Sequence, residues 1–253
     1  MFVLPSDTEE TYKEKISAIQ NTPPQPDKEA FACLKELYDI EPLWVPVIYS
    51  NEGLSFFEAG CTWMDGDAVW IQLKKDFEKK KTLFALYKKS EVLAHEYVHA
   101  VRYPMMSEKY EEFFAYFASK KFGARFRAFF GPLFSSPIEA RVFLWAWMLP
   151  LFAITLELFD VINSLLCVAI ASLPLLLTTF FGVRLILRWK RWQSCRKKVS
   201  LPLMVRLTDE EIELFSLLCT EEIALWIEKE RENSFRWKLL SDSYFPNFAR
   251  APL

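Results

Sequence analysis

The longest uncharged stretch of this 253-residue sequence, Val161–Val183, restricts its fold more than any other feature. As a helix rising ~1.5 Å per residue, these 23 residues would cross a hydrocarbon core of ~30 Å. A second run, Val142–Leu156, has 15 uncharged residues and reaches Phe159 only if Glu157 is included. Because the connection between the runs is short, they predict a helical hairpin that spans a membrane twice. The alternative is a buried helical hairpin in a soluble protein.

Charges around the two runs are distributed unevenly. The connection carries only Glu157 and Asp160, whereas both outer flanks are basic. Cytoplasmic loops of membrane proteins contain an excess of lysine and arginine. The sequence therefore predicts a membrane protein with two transmembrane helices and with cytoplasmic N- and C-terminal regions. The flanking basic residues are Lys120, Lys121, Arg125, Arg127, Arg141, Arg184, Arg188, Lys190, Arg191, Arg196, Lys197 and Lys198.

Composition narrows the classes of partner. The formal net charge is −2 and the pI is about 5.9, whereas nucleic-acid-binding domains normally present a basic face. We therefore expect no nucleic-acid partner. The five cysteines are far apart, odd in number and without a CxxC pair. This pattern is typical of reduced thiols in a cytosol-facing protein.

The rest of the chain predicts an α+β arrangement. β-Branched and aromatic residues indicate strands at Leu43–Ser50, Phe56–Met64 and Ala68–Leu73, with a turn at Asp65–Asp67 before the last. Helices are expected at 6–20, 27–38, 90–103 and 108–121. Ser90 and Ser107 are the candidate N-caps of the last two helices, and Pro104 and Gly123 follow near their ends.

The C-terminal region predicts a small helical tail. Thr208-Asp-Glu-Glu211 fits a capping box at the start of an amphipathic helix, and Thr220 is a candidate cap for the next helix. No residue spacing in the tail is typical of catalysis, so we expect a packing or docking module. Three regions result, namely an α+β domain over 1–125, a juxtamembrane segment and membrane hairpin over 126–190, and the tail over 191–253.

An HExxH motif lies on the predicted helix 90–103, at His95-Glu96-Tyr-Val-His99. Two histidines four residues apart share one helix face, so both imidazoles can bind one ion. Zinc bound in this way lowers the pKa of its water to ~7, and the intervening glutamate can accept the proton. These are the only two histidines in the chain, and the residues around the motif are uncharged. The motif therefore predicts one zinc ion held by His95 and His99, with Glu96 as the catalytic base.

A catalytic zinc ion usually has a third protein ligand, and no further histidine is available. The nearest downstream carboxylates are Glu108, Glu111 and Glu112. On the helix that follows the motif, Glu111 and Glu112 flank a face of small residues on opposite sides. Helical periodicity alone does not choose between them.

This stretch resembles a gluzincin, in particular the minigluzincins and the membrane-bound zincins. Their order is a helix, a few strands, the HExxH helix and a helix that carries the glutamate ligand. The resemblance covers roughly residues 28–122. It implies that 1–125 is a small zincin-like catalytic domain with a short, mostly antiparallel sheet.

In those families the ligand glutamate is followed by a small residue at +3, a polar one at +4 and often a small one at +7. Glu112 is followed by Ala115, Tyr116 and Ser119, whereas Glu111 has a phenylalanine at +3. The resemblance therefore implies Glu112 as the third ligand, with Glu111 as the alternative.

Two features depart from the family pattern. Tyr116 stands at +4, where an Asp or Asn usually orients a histidine, and no third histidine is present to stabilise the oxyanion. Candidates for the latter role are Arg102, Tyr103, Tyr110 and Tyr116. The segment Ala68–Leu73 resembles the edge strand that pairs with an extended substrate, although a core strand would have the same pattern.

Together these features predict a membrane-anchored zinc metallopeptidase that hydrolyses a peptide or protein substrate. One alternative is a non-catalytic membrane adaptor that retains a structural zinc site. The other is a zinc hydrolase acting on a non-peptide amide.

Overall fold

The structure is a computed structural model, and its described residues are 8–10, 13, 27–55, 58–65, 68–84, 86–105, 109–123, 130–134 and 137–245. Most of the predicted helix 6–20, the candidate cap Ser107 and the centre of the predicted turn 65–67 lie outside them. The chain forms two compact units. Unit 1 combines 1–129 with 191–253, and unit 2 is 130–190. The first and last predicted regions thus share one unit.

Unit 1 contains a small mixed sheet. Strands β1 (Val47–Tyr49), β2 (Gly60–Asp65) and β3 (Ala68–Leu73) have the order β1-β3-β2, with β1 parallel and β2 antiparallel to β3. A second, two-stranded sheet pairs β4 (Thr82–Leu83) with β5 (Tyr87–Lys88). The strands β4 and β5 have only two residues each, shorter than a mean strand of about 5–6 residues. The helices supply most of the regular structure. The α+β class predicted from the sequence is confirmed.

The strand Ala68–Leu73 has the predicted bounds but not the predicted position. It lies at the centre of the sheet, so the expectation of an edge strand was wrong. The reason is that both of its edges are paired, one with β1 and the other with β2. Its two faces are covered as well, since Ile71 and Leu73 are buried and so is Gln72 on the opposite face. The amide of Gln72 donates to the carbonyls of Ser50 and Glu52 at 3.0 and 2.7 Å.

Among the described residues that precede unit 2, three helices pack on this sheet or on each other. These are α1 (Lys28–Tyr38), α2 (Lys89–Arg102) and α3 (Glu111–Lys120). Asp27 caps α1 by accepting from the Ala30 N–H at 2.9 Å. Ser90 is not the N-cap of α2, because the helix begins earlier and Lys88 occupies that position. The Ser90 hydroxyl instead donates to the Glu29 carboxylate at 3.0 Å.

In the described part of the tail, up to residue 245, the helices after α4 (Pro137–Leu158) and α5 (Ser164–Arg196) are α6 (Leu201–Met204), α7 (Asp209–Leu217), α8 (Thr220–Asn233) and α9 (Phe235–Tyr244). The predicted capping box of Thr208 and Glu211 is present at the start of α7. Thr220 is not a cap, because Cys219 is the N-cap of α8 and forms the capping box with Glu222.

Arginine side chains fasten the tail to the rest of unit 1. Arg102, fully buried at the end of α2, donates to the carbonyls of Val205 and Leu207 at 2.6 and 3.2 Å. Arg206 donates to the carbonyls of Tyr38 and Asp39, each at 2.8 Å. The tail therefore packs on the rest of unit 1 and completes its core. Packing was one of the two roles expected for the tail, and docking was the other.

Unit 2 contains a helical hairpin. Helix α4 spans Pro137–Leu158 and helix α5 spans Ser164–Arg196, with its last turn assigned to unit 1. Both helices are long and apolar enough to cross a membrane. Near the open end, the guanidinium of Arg184 donates to the carboxylate of Glu139 at 2.7 Å. The two predicted apolar helices and their turn are confirmed.

Candidate metal centre

The HExxH motif lies on the side of α2 that faces α3 and β2. The two histidines are one helical turn apart, and their Nε2 atoms are separated by 3.1 Å. Buried residues on the remaining faces of α2, such as Leu93, Tyr97 and Val101, hold the helix against the core. Both imidazoles are consequently fixed with the same nitrogen directed at one point.

Helix α3 brings Glu112 to that point. Its oxygens lie 3.8 Å from His95 Nε2 and 3.6 Å from His99 Nε2. The approach is close because small buried residues, Ala115 and Ala118, line the helix. Ligand atoms of tetrahedral zinc, with bonds of ~2.0–2.2 Å, lie roughly 3.3–3.5 Å apart. The donor set and its spacing therefore fit a metal ion.

Glu111 lies on the other side of His99. Its Oε1 is 2.9 Å from His99 Nδ1 and accepts the proton of that nitrogen, which leaves Nε2 as the metal-facing atom. Metal-binding histidines usually donate their second N–H to a carboxylate or carbonyl, which fixes the ring and its tautomer. The structure thus separates the two candidates for third ligand, with Glu112 beside the Nε2 atoms and Glu111 behind one imidazole.

His95 is held by two residues of α3. The hydroxyl of Ser119 lies 3.4 Å from His95 Nδ1, and the Tyr116 ring meets the imidazole edge-on with centroids 4.6 Å apart. Ser119 is buried. Ser119 and Tyr116 therefore both contact the His95 imidazole from α3.

Glu96 is buried beside β2. The hydroxyl of Thr62 lies 2.8 Å from its Oε2 and 3.0 Å from its backbone carbonyl. Burial raises the pKa of Glu96, while the charge of His99 and the Thr62 hydrogen bond oppose that change. Thr62 could not be predicted from the sequence, because it is 34 positions from Glu96 and no motif includes it.

Gly60 allows β2 to come this close to α2. A Cβ at this position would lie 2.9 Å from Cγ1 of Val92 and 2.8 Å from Cδ2 of Leu73, closer than real Cβ contacts. Glycine therefore lets the sheet edge approach the motif helix, and Thr62 two residues later reaches Glu96.

Negative charge dominates the centre. Burial alone would lower the pKa of His99, but the carboxylates of Glu112, Glu111 and Glu96 outweigh burial and raise it to about 10. For Glu112, burial raises the pKa to about 7. The charges of Glu111 and Glu96 act in the same direction, and the charge of His99 opposes them. Three carboxylates around two imidazoles form an environment in which a divalent cation balances the charge.

The four candidates for oxyanion stabilisation lie in different surroundings. Arg102 and Tyr110 are fully buried, and Arg102 donates to carbonyls of the tail. Tyr103 begins a short 3-10 turn after α2. Of the four, Tyr116 is the residue whose ring contacts a motif histidine, His95.

Comparisons of the chain with protein-family models, with curated proteins and with solved structures found no match.

Proposed function

We propose that this chain is a membrane-anchored, zinc-dependent metallopeptidase. The observation that carries the proposal is the arrangement of three ligands on two adjacent helices, with ligand atoms within 4.8 Å of one another. In the same motif, the buried carboxylate of Glu96 is oriented by a hydrogen bond from Thr62. A structural zinc site tends to close all four positions, usually with cysteines. Here three N/O ligands and an adjacent carboxylate favour catalysis.

The residues of the chain divide the chemistry among them. His95, His99 and Glu112 would hold the ion, which when bound would lower the pKa of a water molecule to ~7 and polarise the substrate carbonyl. Glu96 accepts the proton of the attacking water and delivers it to the amine that leaves. Glu111 and Ser119 keep the imidazoles in the orientation that ligation needs.

The sheet supports a binding mode for an extended peptide. In the described part of the chain β2 is an edge strand, and it carries Thr62, the residue that contacts Glu96. An extended peptide could add to β2 by main-chain hydrogen bonds, which would bring its backbone beside the motif helix. In this proposal, the substrate pairs with β2 and not with β3 (Ala68–Leu73).

The membrane part of the proposal is supported by the surface of the hairpin. Of the most apolar windows in α4 and α5, only 11% and 17% is buried. A core hairpin in a soluble protein would bury most of its apolar surface. Exposed side chains such as Leu144, Trp145 and Leu165 instead suit a hydrocarbon solvent. The basic flanks favour cytoplasmic N- and C-terminal regions.

The test combines metal analysis with hydrolysis of a broad peptide library by the full chain in lipid nanodiscs. Glu96→Gln keeps the shape of the side chain but removes the base, so zinc should be retained while turnover falls by ~10²-fold or more. Glu91→Gln is the matched control, because Glu91 is also a buried glutamate on α2. It should leave turnover within a few-fold of the wild type.

Four outcomes would contradict the proposal. Unchanged turnover in Glu96→Gln would remove this residue from the mechanism. Zinc binding without cleavage of any peptide would favour the membrane adaptor, whereas cleavage of non-peptide amides alone would favour the second alternative. Absence of zinc from the wild-type protein would exclude all three functions.

A further inference from the structure

The segment Lys74–Lys89 is strongly basic. It contains seven lysines and two acidic residues in 16 positions, a net charge of +5 in a chain whose formal net charge is −2. The segment comprises a 3-10 turn (Lys75–Glu78) and the β4–β5 hairpin, and it ends at the first residue of α2. None of its lysines has a part in the proposed metal centre. Its seven lysines are Lys74, Lys75, Lys79, Lys80, Lys81, Lys88 and Lys89.

The hairpin has a fixed orientation on unit 1. Phe77 and Leu83 are buried and attach the 3-10 turn and β4 to the core. The Leu86 N–H donates to the Leu83 carbonyl at 3.0 Å and closes the turn between β4 and β5. The direction in which the turn projects is therefore set by the core.

Two large apolar side chains occupy this turn and face outward. Phe84 is 56% exposed and Leu86 is 59% exposed. Phe84 also has a φ of +52°, in the left-handed region that bulky residues rarely adopt. Glycine or asparagine would relieve this strain in an ordinary turn. A phenylalanine here is unfavourable for the isolated fold and indicates a function for the exposed ring.

The lysines surround the apolar turn. The Lys74 ammonium lies 5.8 Å from the centroid of the Phe84 ring, and Lys79, Lys80 and Lys81 are exposed immediately before β4. Lys80 is within 3.5 Å of Asp76 in an exposed ion pair, which is weak in water. An apolar tip bordered by clustered positive charge is the combination that peripheral proteins use on anionic membranes.

We propose that the β4–β5 hairpin docks on the surface of an anionic lipid bilayer. Phe84 and Leu86 enter the boundary between headgroups and acyl chains, and the surrounding lysines contact the headgroup phosphates. Charge complementarity selects this partner over an apolar protein surface, because the excess of five positive charges would oppose burial in a neutral interface. The inference rests on the membrane part of the proposed function and is independent of hydrolysis.

The experiment places an environment-sensitive fluorophore at the turn of the full chain. Phe84→Cys is labelled in a background in which Cys61→Ser and Cys219→Ser remove the two cysteines that are not buried. The matched control is Leu225→Cys in the same background, because Leu225 is an equally exposed leucine of unit 1, at 68%. Protein is reconstituted with vesicles of phosphatidylcholine, with or without phosphatidylglycerol. Flotation, emission wavelength and iodide quenching are then measured.

In the vesicles containing phosphatidylglycerol, the label at position 84 should shift to shorter wavelength and lose most of its iodide quenching. It should change less in phosphatidylcholine alone, and the label at position 225 should stay exposed to iodide in both. Combining Lys79→Glu, Lys80→Glu and Lys81→Glu should abolish the shift at position 84 while flotation persists through the hairpin of unit 2.

The outcomes separate docking from anchoring. Flotation with a fully quenchable label at position 84 would overturn docking and leave the membrane anchor standing. A shift that is the same in both lipids and insensitive to the three lysine substitutions would overturn the anionic partner. Protection that appears in detergent without lipid would identify a protein contact instead and overturn the proposal. Failure to float with either vesicle would overturn docking and anchoring together.

Discussion

The two helix pairs α2–α3 and α4–α5 distribute polar and apolar residues in opposite ways. In α2–α3, polar groups such as Glu96 and Ser119 are buried, and alanines line the contact. In α4–α5, apolar residues such as Leu151 and Phe152 are exposed, and an ion pair joins Glu139, near the start of α4, to Arg184, which directly follows the uncharged run of α5. The first pair thus encloses polar and charged side chains, whereas the second pair is long and apolar enough to cross a membrane. In the proposed function, this difference corresponds to two environments, water around the first pair and hydrocarbon around the second.

The largest effect is expected from removal of Glu112, the residue that brings a carboxylate of α3 to the two histidines. Glu112→Ala should reduce the zinc content from about one ion per chain to almost none, since two imidazoles alone do not make a catalytic set. Metal analysis of the purified protein measures the zinc content. Glu91→Ala, at another buried glutamate of α2, should retain the ion. Loss of zinc in Glu111→Ala but not in Glu112→Ala would transfer the ligand role to Glu111.

Two leucines with nearly the same exposure test whether α5 lies in a membrane while α8 lies in water. Leu176 in α5 is 65% exposed and Leu225 in α8 is 68% exposed. Arginine in place of leucine near the centre of a membrane span costs roughly 3 kcal/mol, so Leu176→Arg should greatly reduce the fraction of protein that resists carbonate extraction. Leu225→Arg should change neither extraction nor stability by more than about 0.5 kcal/mol. Equal responses of the two variants would mean that α5 faces water.

The arginine at the end of α2 tests how firmly the tail belongs to unit 1. Arg102→Ala would leave the carbonyls of Val205 and Leu207 without their donor and should destabilise unit 1 by about 2–3 kcal/mol. Thermal unfolding in detergent measures the loss, with Arg102→Lys as a control that keeps the charge. A melting temperature unchanged in Arg102→Ala would show that the tail is held by other contacts.

Local pattern predicted much of this molecule. The uncharged runs gave both helices of the hairpin, and the i, i+4 spacing placed His95 and His99 on one face of α2. The bounds of β3 were also correct. Each of these properties depends on residues close together in the sequence, where helical or strand periodicity applies.

Contacts between distant parts of the chain could not be read in the same way. Thr62 and Glu96 are 34 positions apart, and Arg102 and Val205 are 103 apart. Strand order has the same origin, because periodicity identifies β3 but not its neighbours. Ser90 is not the cap because α2 begins one residue earlier, at Lys89, and its hydroxyl donates to Glu29 on α1. Tertiary contacts decided all of these features.

Glu111, which lies behind the His99 imidazole, should have a moderate effect on the affinity of the metal centre for zinc. Glu111→Gln keeps an acceptor near Nδ1 but removes the charge, and loss of such orienting partners typically lowers metal affinity 10–100-fold. Titration with a competing chelator measures the affinity. The matched control is Glu41→Gln, since Glu41 is an exposed glutamate of unit 1 that pairs with Lys35. An unchanged affinity in Glu111→Gln would mean that α2 holds the imidazole without help from α3.

The smallest effect is expected at Thr62, where β2 meets the motif helix. Thr62→Val keeps the shape of the side chain and removes the hydroxyl that lies 2.8 Å from Glu96 Oε2. A hydrogen bond to a charged group contributes about 1.5 kcal/mol, so kcat/KM should fall about 10-fold while zinc content stays the same. Thr82→Val, an exposed threonine of β4, should change neither quantity. Loss of zinc in Thr62→Val would instead assign Thr62 to the support of the metal ligands, because a residue that acts only on Glu96 leaves the histidines and Glu112 in place.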